Sequence, residues 1–456
     1  MSNVLDLYDQ AYVTFERAVG ATCALQCVWV YDREIDIDGL RRFHHRLQRG
    51  RLSRRIERSP LPFGRHRWVA SGSQPDLEIV EIPRARDEFD GWLGEQANTP
   101  LDAEHGPGWH LAVLPFTDGG AGVSLLVSHC LIDGVGLCEA LTEAVSGQHN
   151  PNKWPAAAAR PWSQALREDV RQTGRDLPGI GRAVVAAVQF ARRHRRTAAA
   201  ASAAIGDPVK PAAPAPDENA ALSTTTIFLD ADQWDARARA LGGTSNTLIT
   251  GLAARLAQRV GRLTADGWAT PSIPVNERTA GDTRANAITN VDITVDPGLA
   301  ATDLRGIRAA TKQALIRHRD VPDERWALLP LVPLLPQRLV RQLVGVATGG
   351  TTNVVSSNLG VLDPAATRPD GTNADYFAMK SLYPGVTTAV MRRTGGVLAL
   401  LSGRVHRQVF VSFLAYQPER PNSTDALRQD ISSILSDFSL TATIGWPGPA
   451  PFAQSA

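Results

Sequence analysis

The chain has 456 residues, 43% of them hydrophobic and 21% charged, a composition that excludes a fibrous or wholly disordered protein. Its 48 Lys and Arg residues against 46 Asp and Glu leave a net charge of +2, which argues against nucleic acid as a partner. Because one hydrophobic core rarely organises more than about 300 residues, we predict two domains with a site between them.

Targeting signals and cysteine content indicate the compartment. The N-terminal segment lacks the basic-then-apolar order of a signal peptide, and no apolar run reaches the roughly 18 residues of a membrane span. We therefore expect a cytoplasmic protein that contacts a membrane only peripherally. The four cysteines form no CxxC pair and are expected to be reduced and mostly buried: Cys23, Cys27, Cys130 and Cys138.

The first part of the chain alternates strand and helix signals. The segment TCALQCVWVYDREIDIDGLRRFHHRLQRGR predicts a strand followed by a helix that is entered through Asp38 and Gly39. The apolar run AGVSLLVSHC predicts another strand, and VGLCEALTEAVSG, after the turn residues DG, predicts another helix. We assign residues 1–155 to an N-terminal α/β subdomain.

Residues 156–222 differ in composition and predict a crossover helix followed by a Pro/Ala-rich linker. Ile180, Val184, Val185 and Val188 recur at helical spacing, and a cluster of cations, Arg192 to Arg196, follows them. One interpretation is a solvated helix whose terminal cations favour its own dipole. The alternative is contact with anionic lipid headgroups or with the phosphates of a cofactor.

Residues 223–456 are assigned to a C-terminal subdomain. It begins with a β-branched strand, a helix, a Gly-Gly break and a second helix opened by Thr244 or Ser245. Strand signals follow at TPSIPVNER, TNVDITVD, TTNVVSSNLGVL, TTAVMRR, VLALLSGR and QVFVSFLAY, and a closing helix is predicted at about 423–435.

The sequence SHCLIDGVG carries the candidate chemistry at the predicted junction of strand and helix. His129 and Asp133 are four residues apart, and Gly134 permits a tight turn with close approach of the backbone. A neutral imidazole, with its usual pKa of about 6.5, suits proton abstraction from an alcohol, amine or thiol. The spacing alone leaves a structural histidine, and an Asp133 that merely caps the helix, equally open.

The surrounding residues resemble those of the thioester-dependent acyltransferases that share the HHxxxDG motif. The likeness is greatest to the bacterial wax ester synthase and diacylglycerol acyltransferase family, and it follows the chain in order. LDLYDQAYVTFERAVG resembles the opening segment of that family, and GPGWHL, with Trp109, stands in the place of its PLW motif. TSNTLITGLAARLAQRVG retains Asn246, SIPVNERTAGDTRANAITN supplies Arg278 and Asn286, and VVSSNLGVL supplies Ser357 and Asn358.

This resemblance implies an α/β fold of two chloramphenicol acetyltransferase-like sheet-and-helix subdomains with an active-site tunnel at their interface. It implies that His129 is the general base for an acyl transfer that forms no acyl-enzyme. Asp133 would be structural, paired with Arg278 beside Gly134. Oxyanion or substrate binding would fall to a set of polar and aromatic residues: Ser357, Asn358, Asn246, Asn286 and Trp109.

The departures from the family pattern leave the substrate open. Ser128 replaces the first histidine of the motif, Gly108 replaces Leu, Thr247 replaces Asp, and Leu359 with Gly360 replaces Val-Pro-Gly. The Leu- and Pro-rich residues 325–350 predict either a buried, turn-rich wall or an apolar surface for an acyl chain. No phosphate loop, HExxH or GxSxG motif occurs, and the surface pair His44 and His45 lacks a third metal ligand nearby, so no bound metal or cofactor is expected.

The leading hypothesis is an O-acyltransferase that uses acyl-CoA, or an acyl carrier protein, as donor to a hydroxyl acceptor. A free-standing condensation enzyme that forms amides is the second hypothesis. A non-catalytic binding or scaffold protein is the third. Because two subdomains complete the site within one chain, we expect a monomer or a weak dimer.

Overall fold

Two β-sheets, one of five strands and one of seven, organise this chain in the computed structural model. The residues that the structure describes are 3–72, 75–148, 154–204, 218–320, 327–336, 340, 352–418 and 420–448. Within these ranges, no helix is long and apolar enough to cross a membrane.

The strands are β1 (Ala24–Tyr31), β2 (Arg54–Glu57), β3 (Arg67–Ala70), β4 (Leu77–Ile79), β5 (Trp109–Pro115), β6 (Ala121–Ser128), β7 (Ser223–Asp230), β8 (Thr270–Asn276), β9 (Ile288–Asp292), β10 (Asn353–Val361), β11 (Tyr376–Leu382), β12 (Val397–Val405), β13 (Gln408–Tyr416) and β14 (Thr443–Ile444). The α-helices are α1 (Leu7–Val19), α2 (Ile37–Leu47), α3 (Phe89–Ala97), α4 (Gly134–Ser146), α5 (Trp162–Ala204), α6 (Ala231–Ala240), α7 (Ser245–Arg259), α8 (Arg305–Asp320), α9 (Thr388–Thr394) and α10 (Thr424–Asp437). Short 3-10 helices lie at Arg51–Ser53, Arg86–Glu88, Leu329–Leu334 and Pro364–Thr367.

The five-stranded sheet has the order β11-β1-β6-β5-β4, and β2 pairs separately with β3. Strands β1 and β6 are buried along their whole length. Such unbroken burial requires both faces of the sheet to be covered, which explains why these sequences show apolar runs in place of alternation. The predicted strands at both positions are confirmed.

Strand β11 links the two halves of the chain. Although Tyr376–Leu382 lies within the range assigned to the C-terminal subdomain, it pairs antiparallel with β1, with Cys27 opposite Met379. Phe377 and Met379 accordingly join the core around the first sheet, together with Phe410 from the second sheet. The boundary drawn at residue 222 therefore does not separate two independent cores.

The seven-stranded sheet has the order β14-β7-β13-β12-β10-β8-β9. Strand β10 lies between β12 and β8 and runs parallel to both. Helices α6, α7 and α10 contribute apolar side chains to the core of this sheet. This arrangement places the SSNLG segment of β10 inside the sheet, with α7 packed against it.

Local signals account for most of the observed helix ends, and two predictions were wrong. Helix α2 begins at Ile37, before the predicted entry, because the Asp36 side chain accepts a 2.9 Å hydrogen bond from Gly39 N. The segment TTAVMRR, predicted as a strand, forms helix α9. Thr387 caps that helix at its N-terminus and Gly395, with a φ of 70°, ends it.

Helix α5 occupies most of residues 156–222 and is fixed to the N-terminal subdomain through acidic side chains. Asp169, which is 2% exposed, accepts hydrogen bonds from Arg67 at 3.0 Å and from Ser59 at 2.6 Å. The side chains of Arg193 to Arg196 lie outside the described residues, as do most of the linker and much of residues 325–350.

Candidate active site

The turn that carries the motif joins the end of β6 to the start of α4. Asp133 is the N-cap of α4, and its Oδ1 accepts a 2.7 Å hydrogen bond from Gly136 N. His129 N donates to Cys23 O at 2.9 Å, which extends the pairing of β6 with the chain before β1 by one residue. His129 is thereby held by backbone at the point where the strand ends.

The structure brings Asp133 and Arg278 together, as the resemblance implied. Arg278 Nη2 donates to Asp133 Oδ2 at 2.7 Å, and Ala287 N donates to the same oxygen at 2.8 Å. Asp133 N donates in turn to Ala285 O at 2.9 Å. Because these donors and its own helix occupy both oxygens of the carboxylate, it braces the turn and forms no hydrogen bond with the imidazole.

Asn286 holds the backbone of the motif turn at His129, a role that the sequence did not indicate. Its Nδ2 donates to His129 O at 3.1 Å, and its side chain is 1% exposed. The amide is buried and donates to the motif backbone, and the role of Asn286 in binding substrate or an oxyanion stays a prediction.

Arg54 and Asp9 also stabilise the segments around the motif turn, and the sequence did not indicate either of them. Arg54 Nη2 donates to Leu131 O at 2.7 Å while its guanidinium lies 4.0 Å from the ring centroid of Trp68. Asp9, on α1, accepts hydrogen bonds from the backbone of Ala285 and Asn286, both at 2.9 Å. Burial raises the pKa of Asp9 to about 6, although these two backbone donors oppose the shift.

The imidazole of His129 stacks on Tyr12, another residue of α1. The ring centroids are 5.2 Å apart and the planes meet at 26°. Burial lowers the pKa of His129, and the charge of Asp133 together with the polar side chain of Asn286 only partly opposes this. His129 Nδ1 and Asn286 Oδ1 are both buried without a hydrogen-bond partner of good geometry. Burial therefore favours the neutral ring.

Tyr12 also belongs to a cluster with Glu16, Cys23 and Cys130. Cys130 Sγ donates to Glu16 Oε2 at 2.9 Å, and Cys23 N donates to Glu16 Oε1 at 2.7 Å. Burial raises the pKa of Glu16 to about 7. Burial also raises the pKa of the Cys23 thiol to about 12 and that of Cys130 well above its ordinary value, so neither is a thiolate nucleophile.

The predicted residues of the second subdomain separate into two faces of β10. Asn358 Nδ2 donates to Asn246 Oδ1 at the start of α7, and Asn358 Oδ1 accepts from Gly360 N at 2.9 Å. Leu359 faces the other way, since a Cβ on Gly134 would lie 2.9 Å from Leu359 Cδ2. The register of β10 shifts between Asn358 and Val361, so the direction of Ser357 follows from its other neighbour, Ser356. Ser356 Oγ lies 3.1 Å from Thr250 Oγ1 of α7, so Ser357, the next residue of the strand, points to the face of β10 away from α7.

The side chain of Trp109 packs in the core of the N-terminal subdomain. It is 3% exposed, and its ring meets His44 edge-on with centroids 5.4 Å apart. The prediction that His44 lies on the surface is wrong, since both side chains fill the space between α2 and the sheet. The contact of Trp109 with substrate stays a prediction. Within the described ranges, no three His, Cys, Asp or Glu side chains converge as a metal site.

Local packing accounts for two of the departures from the family pattern. A Cβ on Gly108 would lie 2.4 Å from Leu131 Cδ1, so Leu131 occupies the space that a larger residue at position 108 would need. Thr247 Oγ1 accepts a 2.7 Å hydrogen bond from Thr244 N and completes a capping box at the start of α7. Both replacements preserve local structure.

The fold defines the class of this protein. The first condensation domain of the CDA synthetase has a TM-score of 0.56 at 14% identity, covering 97% of this chain and 99% of that one. The wax ester synthase/diacylglycerol acyltransferase from Marinobacter aquaeolei VT8 has a TM-score of 0.54 at 16% identity, covering 96% and 100%. The condensation domain of the Monacolin K polyketide synthase MokA gives 0.54 at 12% identity, covering 96% and 97%.

These similarities identify the chain as a protein of the chloramphenicol acetyltransferase-like fold with two subdomains. Residues 38–249 match the family model of the wax ester synthase/diacylglycerol acyltransferase catalytic domain, so the resemblance found in the sequence is confirmed. No curated protein matches the sequence. The family model supports an acyltransferase-type function.

Proposed function

We propose that this chain transfers an acyl group from a thioester to a hydroxyl acceptor, with His129 as general base. The observation that carries the proposal is the placement of the imidazole: Tyr12 stacks on it, backbone contacts fix it at the end of β6, and burial favours its neutral form. With Nδ1 buried, Nε2 is the nitrogen that meets the acceptor.

In the proposed reaction, Nε2 takes the proton of the acceptor hydroxyl while its oxygen attacks the carbonyl carbon of the thioester. The C–S bond of the tetrahedral intermediate then breaks. The departing sulfur takes the proton from the imidazolium, so ester and thiol leave together and no acyl-enzyme forms. General base catalysis of this kind contributes roughly 10² to 10⁴-fold.

The tetrahedral oxyanion requires a hydrogen-bond donor, and Ser357 is the candidate that β10 offers. Its side chain points away from α7, opposite to Ser356, and Leu359 two residues later in the same segment reaches Gly134 beside the motif. Asn358 and Asn246 bond to each other on the opposite face, so their proposed role is to hold the loop. Preorganised donors of this kind contribute about 10² to 10³-fold in kcat.

The donor is proposed to be acyl-CoA or an acyl thioester on a carrier protein. Three of the similar structures belong to a family of multidomain synthetases, the nonribosomal peptide synthetases, which keeps the carrier-bound donor open. The same likeness to condensation domains favours the second candidate function, amide formation with an amine acceptor. The site geometry is common to both, because a neutral imidazole accepts a proton from either nucleophile.

The test is acceptor-dependent release of free thiol from acyl-CoAs of graded length, with panels of alcohols and amines. We expect release with alcohols and its loss, by at least 10²-fold, in His129→Ala. His45→Ala, a change at an exposed histidine on α2, is the matched control and should keep full activity. Equal release by His129→Ala would overturn the mechanism.

Three other outcomes distinguish the alternatives. Release with amines alone identifies the amide-forming enzyme. Release only from carrier-bound thioesters assigns the donor without changing the mechanism. Absence of release with every donor and acceptor supports a non-catalytic binding protein.

A further inference from the structure

Helix α5 carries an apolar stripe that the rest of the described chain leaves uncovered. Its members are Trp162, Val170, Leu177, Val184 and Val188, which are between 45% and 70% exposed. At 100° per residue these positions fall within about 80° of arc, along about 40 Å of helix. Leu334, 40% exposed, belongs to the 3-10 helix Leu329–Leu334 that packs beside α5 and adds to this apolar surface.

A row of arginines borders the stripe on the side away from the protein body. Arg167, Arg171, Arg175 and Arg182 are all exposed. Among the described residues, no carboxylate forms an ion pair with any of them. Long arginine stems lie along apolar surface while the guanidinium groups reach outward.

The acidic residues of α5 all form ion pairs with arginines that lie outside the helix. Asp169 and Glu168 bind Arg160 and Arg67, and Asp176 lies 3.5 Å from Arg65. Charges of opposite sign therefore lie on different sides of the helix: carboxylates anchor it to the N-terminal subdomain, whereas its outer face carries apolar side chains and arginines but no carboxylate.

From this distribution we infer that the outer face of α5 docks on the surface of an anionic phospholipid bilayer. An apolar stripe beside a cationic row, on one long helix lying flat, is the geometry of an interfacial helix. The stripe consists mainly of valine, whose short side chain gives a shallow insertion, so attraction between arginine and lipid phosphate supplies much of the binding. This surface is separate from the site at His129 and does not depend on the proposed reaction.

The test is co-sedimentation of the full chain with two kinds of vesicles. One contains phosphatidylcholine with phosphatidylglycerol, and the other contains phosphatidylcholine alone. We expect binding to the anionic vesicles, weakened by added salt, and little binding to the neutral ones. His129→Ala should bind as the wild type does, so failure of the proposed chemistry and failure of docking are distinguishable.

Two double variants separate the contribution of the apolar stripe from that of the arginine row. Leu177→Glu with Val184→Glu removes the stripe, and Arg171→Glu with Arg175→Glu reverses the row. Each should weaken binding to anionic vesicles at least tenfold, on the order expected for reversing charges at an anionic surface. The controls are Ile82→Glu, at a position 77% exposed elsewhere, and the exposed Arg49→Glu, and both should bind normally. Circular dichroism confirms that each variant is folded.

Several results would overturn the inference. Unchanged vesicle binding in both double variants, or equal binding of the wild type to neutral vesicles, contradicts it. So does the absence of wild-type binding to either vesicle. A concentration-dependent dimer, seen by sedimentation velocity and lost in the stripe variant, would assign the face to a second copy of this chain.

Discussion

Asp133 and Arg278 form a salt bridge of 2.7 Å that joins the motif turn of the N-terminal subdomain to the loop after β8, and both side chains are almost completely buried. The residues are 145 positions apart. One ion pair therefore fixes the turn carrying His129 against the second half of the chain.

Asp133→Asn should destabilise the fold strongly, because it leaves Arg278 buried without its counter-charge. Breaking a buried pair costs about 3 to 5 kcal/mol. The matched control is Asp235→Asn, which breaks the half-exposed Asp235–Arg404 pair and should cost less than about 1 kcal/mol. Urea unfolding measures both. A folded Asp133→Asn protein of normal stability that loses only turnover would contradict the bracing role.

The pH dependence of catalysis should show the lowered pKa of His129. Because burial favours the neutral ring, the base stays active at pH values below the usual histidine pKa of about 6.5. In a plot of kcat/KM against pH, we expect the midpoint of the acidic limb to lie below about pH 6.5, because kcat/KM reports the pKa values of the free enzyme. A midpoint above 6.5 would mean that the imidazole is stabilised as a cation.

Ser357→Ala should lower kcat by about 10² to 10³-fold with little change in KM, because an oxyanion donor acts in the transition state alone. The neighbouring Ser356→Ala is the matched control. Ser356 Oγ lies 3.1 Å from Thr250 Oγ1, on the face toward α7. Steady-state kinetics with one donor and one acceptor compares the two. Similar losses in both variants would indicate a general effect on β10.

Glu16→Gln should stabilise the protein at alkaline pH and have little effect at pH 4. The folded-state pKa of Glu16 is raised to about 7, from 4.5, by burial. Ionisation is thus disfavoured in the folded state, so the stability that the protonated carboxyl confers is complete below pH 4.5 and is lost as pH rises through about 7. The difference corresponds to up to roughly 3 kcal/mol. Unfolding free energies of both proteins at pH 4 and pH 8 measure it, and a gain independent of pH would exclude this cause.

Gly108→Leu, which restores the family residue, should destabilise the fold by about 1 to 3 kcal/mol because Leu131 already fills that space. Gly91→Leu, at an exposed position of α3 with no atom near its Cβ, is the control for adding a leucine side chain. Combining Gly108→Leu with Leu131→Ala should recover much of the loss. Thermal denaturation of the four proteins tests whether the two positions compensate each other.

The sequence by itself determined the local parts of the site. Buried apolar runs and turn residues predict β1, β6 and the strand-to-helix junction at His129, because these depend on neighbours within a few residues. The ordered family motifs also predicted Arg278 as the partner of Asp133. Helix caps such as Thr244 follow from short-range hydrogen bonds and were visible in the sequence as well.

Only the tertiary structure decided which side chains meet across long separations. Tyr12 reaches His129 from the N-terminal helix, and Asn286 reaches it from the second half of the chain. The side chain of Trp109 packs in the core, although the family motif predicted it at the site. Strand β11 joins the first sheet by pairing with β1, a partner about 350 residues earlier in the chain. Such contacts depend on the path of the whole chain, and no local pattern of residues encodes that path.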